Sequence, residues 1–112
     1  MKIEAVAFEM NLTDIERNLL QNKIEFWFTG SYQSRERLFG DVDKSIQLLE
    51  IAKQIKGNAI SIRISRYQAE IISDMIYHLE CRMNPKTSKV YLPEDFPLRN
   101  LYNELIDIAK WA

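Results

Sequence analysis

The residues best suited to chemistry are Asp74, His78 and Cys81, which follow one another at helical spacing. Side chains three or four positions apart share one face of a helix and can approach the same ion or substrate. Zinc, however, takes three or four protein ligands, usually Cys and His, and the chain holds one of each. We therefore expect a surface histidine and a half-buried thiol here, with no metal and no cofactor.

Cys81 beside His78 also suggests a thiolate nucleophile. The cysteine falls in the last turn of its predicted helix, where the negative end of the helix dipole disfavours a thiolate. Glu94 and Asp95 are adjacent carboxylates, but they precede a predicted helix and are typical of charges that complement its first turn. The sequence thus predicts no catalytic residue and no enzymatic activity.

Basic side chains suggest a different chemistry, which is contact with an anion or with nucleic acid. Arg35 and Arg37 lie in a predicted loop at residues 30 to 40, whose glycine spacing fits neither phosphate-binding fingerprint. Arg63 and Arg66 are expected to lie close together on another patch. A net charge of -1 argues against nonspecific nucleic-acid binding. A nucleic-acid-binding regulator that uses these four arginines is therefore the alternative function.

The clearest element is a strand that runs into a capped helix over residues 59 to 83. Apolar and polar residues alternate from Ile60 to Ser65, which is typical of a strand with one buried face. Ser65 and Gln68 fit a capping box, in which each side chain bonds the other residue's backbone amide. The helix is expected to end at Asn84-Pro85, because proline disfavours the α conformation before it. Its apolar stripe comprises Ala69, Ile72, Ile76, Leu79 and Met83.

The first 29 residues give two readings. Alternating apolar residues predict a strand at about residues 2 to 10, and Thr13 or Asp14 then caps a short helix to about Asn22. Residues 23 to 29 alternate and contain three aromatic side chains, which favours a second strand. The alternative is one long helix from near Thr13, with the glycine that follows residue 29 as its C′ residue.

Two more helices are predicted further along the chain. One is capped by Asp41 or Asp43 and ends at residues 57–58, and the other is opened by Asp95 and the proline two residues later. The connection before the last helix holds a short edge strand at residues 89 to 92. The apolar stripes comprise Leu48, Ile51, Ala52 and Ile55 in the first helix, and Leu98, Leu101, Tyr102, Leu105, Ile108 and Ala109 in the second.

These elements predict a single α+β domain over residues 1–112, with a short sheet of two to four strands packed against three or four helices. A hydrophobic fraction of 46% with 28% charged residues excludes a disordered chain. The first residues do not resemble a signal peptide, and no apolar run approaches the roughly 20 residues of a membrane span. A single cysteine is typical of a reducing compartment, so a cytoplasmic location and no membrane contact are expected.

The helix after Ser65 has a second stripe that is more apolar than an outer helical face should be. Two explanations are open: another part of the chain covers this face, or it contacts another protein. Trp111, off the main stripe of the last helix, is a similar candidate anchor. The second stripe comprises Tyr67, Ile71, Asp74, His78 and Cys81, and all but Cys81 are candidate partner-binding residues.

The leading functional hypothesis is a small non-catalytic module that binds another protein. It rests on the second stripe together with the lack of a predicted catalytic group. An inhibitor, immunity or regulatory factor fits this description, and homodimerisation is left open. The usage of Ile, Lys and Asn is typical of AT-rich bacterial and phage genomes.

Overall fold

The computed structural model describes residues 7–29, 42–57 and 61–110. Within these residues the chain adopts the predicted α+β class, with four helices and two small antiparallel sheets. None of the described helices is long and apolar enough to cross a membrane. In chain order the elements are β1 (Ala7–Asn11), α1 (Asp14–Thr29), α2 (Val42–Lys56), β2 (Ser61–Ser65), α3 (Arg66–Glu80), β3 (Arg82–Met83), β4 (Val90–Tyr91) and α4 (Arg99–Lys110).

Strands β1 and β2 pair antiparallel, with Met10 opposite Ile62. Met10, Ile62 and Ile64 are buried, whereas Glu9 and Arg63 are exposed, so one face of the sheet packs on the core. Both strands were expected from their alternation. The first extends one residue beyond its predicted end, and its predicted start lies outside the described residues.

Residues 23–29 belong to α1, so the predicted second strand is wrong. The helix buries Leu20, Ile24 and Trp27, which recur at intervals of four and three. The apparent alternation came from Phe26 and its neighbours, yet Phe26 is 60% exposed. Helical burial of Ile24 and Trp27 outweighs the strand propensity of the aromatic residues.

Thr13 is the residue that caps α1. Its hydroxyl oxygen accepts the Glu16 amide at 3.1 Å, and its own amide donates to Glu16 Oε1 at 3.0 Å. These two bonds form a capping box, which satisfies two amides at the start of the helix. Thr13 was one of the two predicted caps, and Asp14 is instead the first helical residue.

Helix α2 begins at Val42, so Asp43 lies in its first turn and is not its cap. The other predicted cap, Asp41, and the predicted loop at residues 30–40 lie outside the described residues. The helix ends before Gly57, as predicted, and the Gly57 amide donates to the Lys53 carbonyl oxygen at 3.3 Å. An aspartate in the first turn still complements the helix dipole.

The capping box at the start of α3 is confirmed. The Gln68 amide donates to Ser65 Oγ at 3.0 Å, and the Ser65 amide donates to Gln68 Oε1 at 3.0 Å. The helix nevertheless ends at Glu80, three residues before the predicted end at Met83. Cys81 is extended, with φ -65° and ψ 149°, and leads into β3. Pairing of β3 with β4 therefore takes the place of a last helical turn.

Strand β4 lies within the predicted edge strand at residues 89–92. Helix α4 begins at Arg99, later than the predicted opening at Asp95 and Pro97. The Arg99 amide donates to the Phe96 carbonyl oxygen at 2.9 Å, so a turn precedes the helix. Proline is compatible with that turn because its φ is already near the required value. The predicted stripe of α4 faces the core through Leu98, Leu101 and Leu105, and Tyr102, Ile108 and Ala109 are partly buried against it.

Helix α3 is the centre of the fold. Its most extensive packing is against α4, and it also contacts β2, α2 and α1. Residues on two sides of the helix are consequently buried, and they comprise Ala69, Ile71, Ile72, Ser73, Met75 and Ile76. Such a helix needs an apolar surface wider than the single stripe of a helix that lies on the outside of a domain.

Candidate functional site

The second stripe of α3 is largely occupied by contacts within the chain. Ile71 lies in the core at 2% exposure, and a side chain buried there cannot contact another protein. Tyr67 is partly exposed, and its hydroxyl donates to Asp43 Oδ2 at 3.3 Å. The covered-face explanation therefore accounts for the middle of this stripe. Tyr67 and Asp74 are exposed, and His78 and Cys81 are half-buried.

The side chains of His78 and Cys81 have different contacts. The imidazole meets the Trp27 indole edge to face, with ring centroids 6.1 Å apart. The Cys81 thiol donates to the His78 carbonyl oxygen at 3.6 Å, so it contacts the backbone of His78. Among the described residues, no group of three His, Cys, Asp or Glu side chains is placed to hold a metal ion.

Asp74 lies where α3 meets its neighbours, and its electrostatic surroundings are distinctive. Burial raises the pKa of this carboxyl, and the negative charge of Glu70 raises it further. Electrostatic interactions with Lys44 and His78 oppose the shift. Lys44 belongs to α2, and Glu70 and His78 belong to α3, so charges from two helices act on this carboxyl.

A second raised pKa belongs to Tyr102 on α4. Burial is the main cause, Tyr77 adds to it, and Arg99 opposes it. Arg99 also lies over the Phe96 ring, 5.8 Å from its centroid, and donates to the Pro93 carbonyl oxygen at 3.3 Å. This cluster of aromatic and charged groups fastens the turn before α4 to the helix.

The predicted arginine patch is only partly described. Arg63 is exposed on β2 and Arg66 is exposed at the start of α3. Glu9 lies directly opposite Arg63 in the sheet, so a carboxylate offsets this charge. Arg35, Arg37 and Trp111 lie outside the described residues.

A groove between α1 and α3 is the surface that the sequence reasoning missed. It has a volume of about 370 Å³ and is lined by Leu19, Asn22, Lys23, Phe26 and Leu79. On α1, Ile15, Leu19 and Phe26 recur at helical spacing on a face beside the core-facing one. Ile15 is 69% exposed and Phe26 is 60% exposed. We call this surface the α1–α3 groove.

An ion pair fixes one wall of the α1–α3 groove. Lys23 of α1 pairs with Glu80 at the end of α3, and both side chains are about one-fifth exposed, at 20% and 19%. Their partial burial makes the pair more than a solvated surface contact. It holds the two helices together beside Phe26 and Leu79. The groove is therefore a formed feature of the fold.

The chain leaves α3 through a protruding hairpin, β3–β4, which lies next to the groove along the chain. The Asn84 amide donates to the Lys89 carbonyl oxygen at 2.9 Å, and the Asn84 side chain accepts the Lys86 amide at 2.9 Å. Ser88 adopts φ 57°, the left-handed conformation that closes the turn. Three cationic residues, Arg82, Lys86 and Lys89, lie on this hairpin.

A second exposed apolar stripe lies on α2, where Val42, Ile46 and Leu49 share one face. The opposite part of that helix faces the core, and a polar face bonds to β2 and α3 through glutamine side chains. Ile46 and Leu49 of this stripe line a second groove of about 310 Å³, with Lys53 and Lys56 on its border. It offers a matched control for the α1–α3 groove.

Comparisons with protein-family models, with curated proteins and with solved structures found no match to this chain. Function must therefore be inferred from the surfaces themselves. Of these, the α1–α3 groove combines exposed apolar side chains with walls from two helices. The hairpin beside it adds an unbalanced positive charge.

Proposed function

We propose that this protein is a small non-catalytic module that binds another protein and acts as an inhibitor, immunity or regulatory factor. The observation that carries the proposal is the α1–α3 groove, with Phe26 at 60% exposure on its border. Exposed aromatic and aliphatic side chains at helical spacing are typical anchors of protein interfaces. An apolar helix or strand of a partner would bury Phe26, Leu19 and Leu79 together.

The lining of the groove favours a protein partner over a small molecule. Small-molecule sites combine apolar walls with several convergent polar groups that fix the orientation of the ligand. The polar residues that line this groove are Asn22 and Lys23, and the Lys23 ammonium group is already paired with Glu80. Apolar contact area is therefore the main source of binding free energy that this surface offers.

The proposal is tested by placing a photo-crosslinking amino acid at Phe26 in the native host. Proteins attached through that position are identified by mass spectrometry, purified, and titrated calorimetrically against the native chain. We expect Phe26→Asp to weaken binding at least roughly tenfold, because burying an unpaired carboxylate at an apolar contact is costly. Ile46→Asp on α2 is the matched control, since Ile46, like Phe26, is an exposed apolar residue on a helix.

Two results would contradict the proposal that the α1–α3 groove binds the partner. One is a partner that Ile46→Asp loses and Phe26→Asp retains, which would move the interface to α2. The other is a chain that stays monomeric in light scattering at every concentration and forms no crosslink from position 26 or 46. A concentration-dependent dimer that Phe26→Asp disrupts would identify the partner as a second copy of the chain.

A further inference from the structure

We propose that the β3–β4 hairpin is a second contact element, and that it recognises an acidic patch on the partner protein. This inference rests on the proposed function and names the chemistry of the partner. The hairpin begins close to the α1–α3 groove, because Arg82 follows Leu79 by three residues. Three residues of chain span at most about 11 Å.

The charge of the hairpin is one-sided. Arg82, Lys86 and Lys89 are the charged residues between positions 81 and 93, so this segment carries +3. Since the whole chain carries -1, the other residues together carry -4. None of the three cationic groups forms an ion pair with a carboxylate among the described residues. The hairpin is therefore a positive segment on a molecule that is otherwise negative.

The two faces of the hairpin differ. Arg82 pairs with Tyr91 and Met83 pairs with Val90, and the two members of a cross-strand pair lie on the same face of a sheet. One face thus presents a guanidinium beside an aromatic ring. The other presents Met83 at 63% exposure and Val90 at 52%. Cationic, aromatic and apolar groups together are the composition expected at a contact with protein.

The hairpin is also held in shape before it binds. Asn84 fixes the turn through its backbone amide and its side-chain oxygen, and Thr87 Oγ1 accepts the Lys89 amide at 3.4 Å. A preformed turn loses less conformational entropy on binding than a flexible one. The backbone that carries the three cationic side chains is consequently ordered before a partner binds.

An acidic protein patch fits this arrangement better than nucleic acid does. Glu94 and Asp95 are exposed just after β4, and the rest of the chain is negative. A nucleic acid extends beyond the Debye length of about 8 Å and would meet these carboxylates. A patch of a few carboxylates on a folded protein can contact the hairpin and avoid them. The exposed Met83–Val90 face adds apolar contacts that a phosphate backbone does not offer.

The test uses a peptide of ten glutamates, titrated into the isotopically labelled full chain and followed by amide chemical shifts. The largest shifts are expected at residues 82–91. The variant that combines Arg82→Gln, Lys86→Gln and Lys89→Gln should bind the peptide roughly tenfold more weakly, since each exposed pair contributes a modest amount. The control combines Lys53→Gln, Lys56→Gln and Lys110→Gln, three exposed lysines elsewhere, and should bind within about twofold of the native chain. Circular dichroism spectra are used to check that both variants are folded.

Three outcomes would overturn the inference. The first is an equal loss of peptide affinity in the hairpin variant and the control. Binding would then depend on the overall charge of the chain and not on the hairpin. The second is a single-stranded oligonucleotide with ten phosphates that shifts the same amides and binds more tightly than the peptide, which would make the partner a nucleic acid. The third is a partner crosslinked at position 26 whose affinity is lost in Phe26→Asp but unchanged in the hairpin variant.

The failures of the two proposals are distinguishable. The third outcome would support the protein-binding function and reject the role of the hairpin. Peptide binding at residues 82–91 without any protein crosslinked at position 26 would have the opposite meaning. It would reject the α1–α3 groove as the binding site and support the preference of the hairpin for acidic groups.

Discussion

At the scale of the residue, Asp74 on the surface of α3 shows how partial burial and a neighbouring charge together affect a carboxyl group. Its pKa is raised from the ordinary value of 3.8, first by burial and then by the charge of Glu70. The folded chain therefore binds the Asp74 proton more tightly than the unfolded chain does. It follows that folding is favoured at low pH, where the carboxyl is protonated, and that this contribution is lost as the pH rises through the folded-state pKa.

Asp74→Asn is therefore expected to increase the free energy of unfolding at pH 7, because it removes a partly desolvated charge that Glu70 repels. The gain should stay below about 1 kcal/mol, since the carboxyl is substantially exposed and solvent screens its interactions. It should vanish below pH 3.8, where the native residue is protonated in both states. Urea denaturation at several pH values measures both effects.

Asp107→Asn on α4 is the matched control, because Asp107 is an exposed aspartate at the surface of its helix. It removes the same charge from the chain. An increase in stability that is as large for Asp107→Asn as for Asp74→Asn would show that total charge, and not the surroundings of Asp74, is responsible.

At the scale of elements, α2 closes the outer edge of β2 with a side chain. Gln54 Nε2 donates to the Arg63 carbonyl oxygen at 2.8 Å, and Gln54 Oε1 accepts the Arg63 amide at 2.8 Å. The other edge of β2 is paired with β1. A two-stranded sheet is marginal alone, so these two bonds support its attachment to the helices.

Gln54→Ala is expected to lower the free energy of unfolding by about 1–2 kcal/mol, since two hydrogen bonds of modest net strength are lost. Gln47→Ala is the matched control on the same helix. The Gln47 side chain accepts one bond, from Gln68 Nε2 at 2.9 Å, so its loss should cost about half as much. Urea denaturation of both variants measures the difference, and equal losses would mean that the bonds of Gln54 to Arg63 do not stabilise the sheet.

The elements also show which features the sequence could predict. The Ser65–Gln68 capping box was predictable because it is local, and both of its hydrogen bonds are present. The end of α3 was not, because β3 pairs with a strand that begins seven residues after it, at Val90. Pro85 disfavours the α conformation at Asn84 but does not determine where the last turn lies.

The misassigned segment at residues 23–29 also concealed the candidate site. As a strand, it would place Phe26 and Ile24 on one face, and Phe26 would be assigned to the core. As a helix, it places Phe26 beside Leu19 on a separate exposed face. The apolar stripe of α1 was thus present in the sequence, but it could be recognised only after the period of the segment was known. The contribution of Leu79 depends on packing between helices, which no local pattern encodes.

At the scale of the whole molecule, α3 links every layer of the structure. It packs against α4, α2, β2 and α1. The loss of its core side chains should therefore destabilise all of these elements together. The chain is then expected to unfold in one step, as small single domains usually do. Trp27 of α1 provides a local probe, and far-ultraviolet circular dichroism reports on all the helices.

Ile76→Ala tests this cooperativity, because Ile76 is fully buried in the middle of α3. Removal of its side chain should lower the free energy of unfolding by about 2–5 kcal/mol, through lost apolar burial and the cavity left behind. Ile15→Ala, at a position that is 69% exposed, is the control and should change stability by less than about 0.5 kcal/mol. In a Trp111→Phe background, fluorescence then reports on Trp27 alone, and its urea midpoint should coincide with the dichroism midpoint in both variants. If Ile76→Ala separates the two midpoints, α1 unfolds independently of α3, and the Lys23–Glu80 pair and the α1–α3 groove cannot be part of one cooperative unit.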